Sequence, residues 1–477
     1  MIVAQSYKGQ TIAVFGLGRT GITAAKSLSK GGAKVLAWDD MEASRDAAQA
    51  DGLTLSDLNG ADWSAIDALV LSPGIAHDKP APHWTAQRAR ENNIPIICDI
   101  EIFAKEIAAR APERRPVIIA ITGTNGKSTT TSLIGHILNS CGRDAQIGGN
   151  IGRGVLDLEA MHSGTHYVLE LSSYQLERTY SLRANSAVFI NLTPDHIERH
   201  GDMAGYRAAK MRIFDNQQTD DIAVVGVDDE SGQHLATELI AKNGRRIIPI
   251  SGSRALGRGV SVINGKLYAS INRTSVEICD LRKARALDGQ HNWQNAAAAF
   301  AAVQGLGLDP EQIGKAILSF GGLAHRMERL GKVLSVSYIN DSKATNAEAA
   351  RQALRAYRNI YWIAGGVAKD GGIAPLATEL AGVRKAYLIG EAAPAFRSVL
   401  KKQKIAHKIS GDLRRAVLCA TRDALSSGDD DPVILLSPAC ASFDQFKNFE
   451  LRGDAFRSEA QAIIDMFEAE KAKGHAA

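Results

Sequence analysis

Val117-Ile-Ile-Ala-Ile-Thr-Gly-Thr-Asn-Gly-Lys-Ser-Thr-Thr130 is the stretch on which the reading of this chain turns. Its first half is an apolar run rich in β-branched residues and reads as a buried strand, while Ser128 to Leu138 reads as the start of a helix. Between them, Gly123-Thr-Asn-Gly-Lys-Ser128 is a glycine-rich turn whose backbone N–H groups can wrap a phosphate at the helix N-terminus. Gly123, Thr124, Asn125, Gly126 and Thr129 are the candidate phosphate contacts. Lys127 would reach the β/γ-phosphates, and Ser128 or Thr129 could hold Mg²⁺. A full Walker A motif has glycine where this chain has Ile121. The competing reading is a plain strand–turn–helix with a surface lysine.

Upstream, Thr11-Ile-Ala-Val-Phe15, Ala33-Lys-Val-Leu-Ala-Trp38 and Asp67-Ala-Leu-Val-Leu71 read as strands, with a helix from Thr20 to Lys30. Gly16-Leu-Gly-Arg-Thr-Gly21 fills the dinucleotide fingerprint, and Asp39 ends the next strand at about the 20-residue distance that fingerprint wants. Alone, this suggests NAD, although such a match says only that a phosphate-bearing ligand can sit at the first turn. Arg110-Ala-Pro-Glu-Arg-Arg-Pro116 is a plausible linker.

Downstream of the glycine-rich turn, buried strands are expected at Tyr167 to Leu171, Ser186 to Ile190 and Ile222 to Val227. A hairpin is expected around Asn264-Gly265, and an alanine-rich helix at Asn292 to Gln304. After Gly321-Gly322, strands are expected at Val333 to Tyr338, Ile360 to Ala364, Ala386 to Ile389 and Pro432 to Ser437. The expectation is an α/β chain of three domains. Residues 1–98 would form a Rossmann-like domain, 99–322 a domain carrying the P-loop and 323–477 a second Rossmann-like α/β domain.

The composition, 45% hydrophobic and 23% charged, is that of a globular protein too long for one core. A net charge of +4 argues against a dedicated nucleic-acid binder. The five cysteines have no metal-ligand spacing and read as free thiols of a reducing cytoplasm. No signal peptide is indicated, and no apolar run approaches the ~20 residues of a membrane span.

Two phosphate grips in different domains pose a problem. A dehydrogenase needs only the first and an NTPase only the second, whereas a ligase that activates a nucleotide-linked substrate with ATP uses both. Glu170 sits at a strand end, where open α/β sheets bind ligands and a carboxylate can hold Mg²⁺. His196, in Asn191-Leu-Thr-Pro-Asp-His196, also follows a strand, and spacing alone leaves metal ligand and structural histidine evenly balanced. By pattern alone, Lys210 reads as a solvated helix lysine.

Thr122-Gly-Thr-Asn-Gly-Lys-Ser-Thr129, Glu170-Leu-Ser-Ser-Tyr-Gln175, His291-Asn292 with Asn295, His325-Arg326, Asn340-Asp-Ser-Lys-Ala-Thr-Asn346 and Ser437-Pro-Ala-Cys-Ala-Ser-Phe-Asp-Gln-Phe-Lys-Asn-Phe449 follow in order over nearly the whole chain. Together they resemble the Mur ligase family, and within it the members that add D-glutamate. The P-loop and His-Asn motifs are shared across the family and with folylpolyglutamate synthases. The last two blocks are narrower, and the Asp-Asn-Pro-Arg block of the diamino-acid-adding members is absent.

The resemblance implies an ATP-dependent ligase joining D-glutamate to UDP-N-acetylmuramoyl-L-alanine in peptidoglycan synthesis, acting as a cytoplasmic monomer without membrane insertion. It implies that Gly18, Arg19, Thr20, Asp39, Ser72, Pro73, Gly74 and Asn150 contact the UDP-linked substrate. Lys127, Asn295, Arg326 and Asp341 would contact ATP. Lys343, Thr345, Ser437 and Phe443 would bind D-glutamate, with Lys369 as a further carboxylate partner. Ser128, Glu170, His196 and a carbamylated Lys210 would hold two Mg²⁺ ions, and Lys127, His196 and Lys210 would be catalytic. Substrates on three domains would have to be brought together, so closure on ATP and D-glutamate binding is expected.

Three rivals remain. An NAD-dependent oxidoreductase leaves the P-loop unexplained. A transporter, motor or regulatory ATPase would hydrolyse ATP without an acceptor amino acid. A folylpolyglutamate synthase gives no reason for the blocks around Lys343 and Ser437.

Overall fold

The computed structural model describes residues 1–242, 246–271, 274–284, 286–368 and 371–474. The chain divides into two compact units, Met1–Phe320 and Gly321–Ala477, and among the described residues its strands form three sheets.

The first sheet holds β1 (Thr11–Phe15), β2 (Lys34–Trp38), β3 (Ala68–Leu71) and β4 (Ile96–Ile97), all parallel in the order β2-β1-β3-β4. Helix Arg19–Lys30 begins right after the glycine turn, where Gly16 takes φ 92° and a Cβ would collide with Ser72. Gly21 packs so closely that a Cβ would lie 1.9 Å from the Gly16 carbonyl.

In the same unit, the second sheet contains β5 (Val117–Thr122), β6 (Asp144–Gly149), β7 (Thr165–Glu170), β8 (Ser186–Phe189), β9 (Ile222–Gly226), β10 (Arg246–Ser251), β11 (Gly259–Ile263), β12 (Lys266–Ile271) and β13 (Thr274–Asp280). Their order is β13-β12-β11-β10-β9-β8-β5-β7-β6, with β11/β12 and β12/β13 antiparallel and the rest parallel. Asn264 and Gly265 turn the β11–β12 hairpin with φ 51° and 78°, as the Asn-Gly pair requires of a type I′ turn. The chain leaves β5 toward β6 and returns through β7 to β8 on the other side. The ends of β5 and β8 therefore flank the switch point where open α/β sheets take ligands.

One apolar cluster joins residues of both sheets, from Ile12 and Val14 through Phe103 to Tyr167 and Phe189. A second lies under helices Lys127–Ser140 and Gln290–Gln304. The run Ala296 to Ala302 is wholly buried there, and its small side chains let the second helix approach the P-loop.

The unit Gly321–Ala477 holds β14 (Glu328–Val333), β15 (Val336–Asn340), β16 (Ile360–Gly365), β17 (Val383–Ile389), β18 (His407–Gly411) and β19 (Val433–Leu436), in the order β14-β15-β19-β16-β17-β18. Only β14/β15 is antiparallel. The single strand expected from Val333 to Tyr338 is instead the middle of a hairpin. Leu334, an apolar residue that the pattern placed in a strand, sits exposed in the turn at φ 54°.

Candidate functional site

In the unit Met1–Phe320, β5 delivers the chain to Gly123 (φ 153°) and Gly126 (φ 83°), which bracket the P-loop before helix Lys127–Ser140. Asn295 seals the loop from the alanine-rich helix, since a Cβ on Gly126 would stand 2.2 Å from its Oδ1. Asn191, just after β8, holds the loop from the other side. Its Oδ1 accepts from the Asn125 N–H (2.9 Å) and its Nδ2 donates to the Asn125 carbonyl (3.2 Å). Lys127 Nζ donates to the carbonyls of Gly123 (3.0 Å) and Thr124 (2.8 Å), over the loop that would receive phosphates.

Lys210 is not a solvated helix lysine. It is 1% exposed, lies over the Tyr206 ring and donates from Nζ to the Gly123 carbonyl at 2.8 Å. The pattern failed here because helix Met203–Met211 turns this polar position under the P-loop. Burial, reinforced by the charge of Lys127, lowers its amine to about 7. Glu170 ends β7, 3% exposed, with Oε1 accepting from Asn150 Nδ2 (2.9 Å). Its Oε2 is buried with no hydrogen-bond partner.

An orphaned carboxylate oxygen beside a phosphate grip is what a hard cation would complete. Glu170 with the Ser128 hydroxyl fits Mg²⁺, which commonly takes one or two carboxylates and draws its other ligands from substrate phosphates and water. Among the described residues no three His, Cys, Asp or Glu side chains gather into an all-protein metal site. His196, at φ 51°, has Nδ1 3.0 Å from the Tyr174 hydroxyl and Nε2 3.3 Å from Asp195. Burial and then the charges of Lys210 and Lys127 lower its imidazole, which favours the neutral form that ligates metal.

At the first sheet, Asp39 holds the glycine turn, accepting the Leu17 N–H at 2.7 Å, and Ser72 Oγ donates to the Gly16 carbonyl at 2.6 Å. Gly18, Arg19 and Gly74 are exposed, while Thr20 and Pro73 are half-buried at the same end of the sheet. Asn150 stands on the loop after β6, and Gly154 of that loop approaches the Thr20 methyl, which brings these candidates toward Glu170.

In the unit Gly321–Ala477, the ends of β15, β19 and β16 carry three loops. Asp341 accepts from the Ser437 hydroxyl (2.7 Å) and the Met327 N–H (3.2 Å), and burial pushes its carboxyl up to about 7. Arg326 has Nη1 buried without a hydrogen-bond partner. Ser437 is 0% exposed and its hydroxyl is given to Asp341. Lys343 and Thr345 are half-buried on the loop after β15. Phe443 is 74% exposed, whereas Phe449 lies beneath Lys343 Nζ at 5.9 Å. Lys369 lies outside the described residues.

Sequence reasoning missed Asn191, Tyr174 and Tyr206 around the P-loop, and Arg452, whose buried guanidinium holds the carbonyls of Ser342 and Cys440. Their spacing follows no period, and only the fold brings them in.

Residues 121–303 match the Mur ligase middle domain, and residues 325–440 match the Mur ligase glutamate ligase domain. A UDP-N-acetylmuramoylalanine–D-glutamate ligase of Phenylobacterium zucineum is 54% identical over 98% of this chain and 99% of its own length. The chain belongs to the Mur ligase family. The ligase of the same description from Mesorhizobium japonicum is 47% identical over 97% of this chain and 98% of its own. Among solved Mur ligase structures, the UDP-N-acetylmuramate-alanine ligase of Thermotoga maritima shares the fold with a TM-score of 0.56 at 18% identity, over 95% of this chain and 99% of that one.

Proposed function

We propose that this chain is an ATP-dependent amide ligase that adds D-glutamate to UDP-N-acetylmuramoyl-L-alanine in peptidoglycan precursor synthesis. The reading is carried by the buried pair of Lys210 and the orphaned Glu170 oxygen set against the P-loop, together with full-length relatives that bear this activity in their names.

A carboxylate is a poor acyl donor. A carboxylate oxygen of the L-alanine residue therefore attacks the γ-phosphorus of ATP, giving an acyl phosphate and ADP. The neutral amine of D-glutamate then adds to the acyl carbon, and the tetrahedral oxyanion collapses with loss of phosphate and a proton. Phosphoryl transfer asks little covalent help of the protein and much alignment. Gly123 to Thr129 would cradle the phosphates, Lys127 would neutralise charge spreading onto the γ-phosphoryl oxygens, and Asn295, Arg326 and Asp341 would hold the rest of the nucleotide.

Mg²⁺, when bound, offsets phosphate charge and orients the reacting oxygens. Ser128, Glu170 and His196 would hold it. Lys210 enters this set as a carbamate. Its neutral Nζ adds to CO₂ and loses a proton, which turns a donor-only ammonium into an oxygen ligand. A buried amine lowered to about 7 favours that step, because the uncharged form is the nucleophile.

Gly18, Arg19, Thr20, Asp39, Ser72, Pro73, Gly74 and Asn150 would take the UDP-linked substrate, with residues 1–98 as its domain and 99–322 as the ATP domain. Lys343, Thr345 and Lys369, with Ser437 and Phe443 on the adjoining loop, would take D-glutamate in residues 323–477. The protein works as a cytoplasmic monomer on soluble substrates, and among the described residues no helix is long and apolar enough to cross a membrane.

ADP release measured with UDP-N-acetylmuramoyl-L-alanine and a panel of amino acids tests the reading. Stimulation by D-glutamate is expected. Stimulation by L-glutamate or a diamino acid instead, or ADP release that needs no acceptor, would overturn it.

A further inference from the structure

After β3 the chain passes through Ser72-Pro73-Gly74, and three successive carbonyls of this turn point to one side. Leu71 and Ser72 accept from Arg178 Nη1 at 2.8 and 3.2 Å, and Pro73 accepts from Nη2 at 2.8 Å. The Tyr174 carbonyl stands 3.4 Å from both Nε and Nη2. Arg178 follows helix Ser173–Leu176, beside the second sheet, and is 0% exposed. A residue beside the second sheet thus sets the shape of a loop at the end of the first. Arg199 acts alike one step further on, donating to the Ile75 carbonyl at 3.0 Å.

The geometry has an electrostatic consequence. Across a trans peptide the C=O and N–H point in opposite directions. Drawing the Pro73 carbonyl onto the guanidinium turns the Gly74 N–H away from it, toward the exposed side of the loop. The same contacts hide three carbonyl oxygens that would repel an anion. Among the described residues no carboxylate is hydrogen-bonded to Arg178. Glu177 Oε1 stands 3.9 Å from its Nε and is taken up by Arg199 and His77, and the Cys98 thiol and the Asp99 carboxyl are the other acidic groups acting on it. A buried cation therefore stands behind the loop in a medium that screens it poorly.

We propose that Arg178 is a positioning residue for the diphosphate of the UDP-linked substrate. It locks Ser72-Pro73-Gly74 with the Gly74 N–H outward and adds positive potential from behind. The proposal rests on the reading above that this loop takes the UDP-linked substrate. The three carbonyls are divided between two nitrogens of a rigid planar fork, so lysine, with a single nitrogen, would keep the charge and lose much of the geometry.

Calorimetric titration of UDP-N-acetylmuramoyl-L-alanine and, separately, of a non-hydrolysable ATP analogue into wild type, Arg178→Lys and Arg178→Met tests this. Arg178→Met is expected to weaken the UDP-linked substrate about 10- to 100-fold, and Arg178→Lys by less, on the scale of lost charge-assisted hydrogen bonds. The ATP analogue should bind all three within about twofold, and the kinetic loss should fall on KM for the UDP-linked substrate more than on kcat. Unchanged affinity for that substrate in either variant would overturn the proposal, as would equal weakening of both ligands. If Arg178→Met does not fold, the split between the two ligands in Arg178→Lys decides alone. Failure of the wild type to bind the UDP-linked substrate would overturn the functional reading itself, and this inference with it.

Discussion

Lys210 and Asp341 are displaced from their ordinary titration by the same cause, burial, with opposite consequences. For Lys210 the neutral amine gains population as pH rises through about 7. At fixed CO₂ its carbamate should form above that pH and be lost below it. Lys210→Ala is expected to lose more than about 100-fold in kcat, the scale on which a removed transition-state contact acts, with partial rescue by added short carboxylates. Labelled CO₂ should give a carbamate carbon signal in wild type that the variant lacks. Full activity of Lys210→Ala without additive would refute the role.

Asp341 runs the other way. Its folded pKa of about 7 exceeds the ordinary 3.8, so the unfolded chain releases this proton more readily. Its favourable contribution is complete below about pH 4 and is lost as pH rises toward and through 7. Asp341→Asn should flatten that slope in denaturant titrations between pH 4 and 8. An unchanged slope would mean that this carboxyl is not the group responsible.

At the scale of elements, the P-loop and the alanine-rich helix form one device. Gly126 has the left-handed φ that glycine favours, and it also leaves the space that Asn295 fills. Gly126→Ala is expected to weaken ATP binding more than about tenfold, since the methyl forces the Asn295 amide aside and strains the turn by about 1–2 kcal/mol. Combining it with Asn295→Ala should cost less than the sum of the two single changes, which isothermal titration would read. Additive losses would show that the two positions do not share the space.

Strand β5 and its loop were legible because an apolar β-branched run followed by glycines has few other solutions. The β14–β15 hairpin was not, because an exposed Leu334 in its turn breaks the rule that turns are polar. Strand β18 (His407–Gly411) was also missed, since an edge strand with mixed polarity shows no alternation.

On the scale of the whole molecule, the apolar clusters respect the division of the chain. Met1–Phe320 has apolar clusters of its own, and so has Gly321–Ala477. Two separate cores predict non-two-state unfolding, with a calorimetric enthalpy exceeding the van't Hoff value. The UDP-linked substrate should raise only the transition of the first unit, and Asp341→Asn should move only the other. A single cooperative transition shifted as a whole by either change would contradict this. The shared cluster from Ile12 to Phe189 explains why two sheets that look like separate domains along the chain form one unit.

Local sequence determined what local physics can determine: the buried β5 run, the two glycine turns with their helices, the Asn264-Gly265 hairpin and the α/β class. Motif order added the family and the short blocks that carry its chemistry. Tertiary structure alone decided which polar residues are buried and against what. A lysine on a half-polar helix becomes a lowered amine under the P-loop, a serine in a short motif becomes the partner of Asp341, and Arg178 becomes the clamp on a loop far away in sequence. Burial, hydrogen-bond partnership and field depend on segments distant along the chain. No window of neighbouring residues contains them.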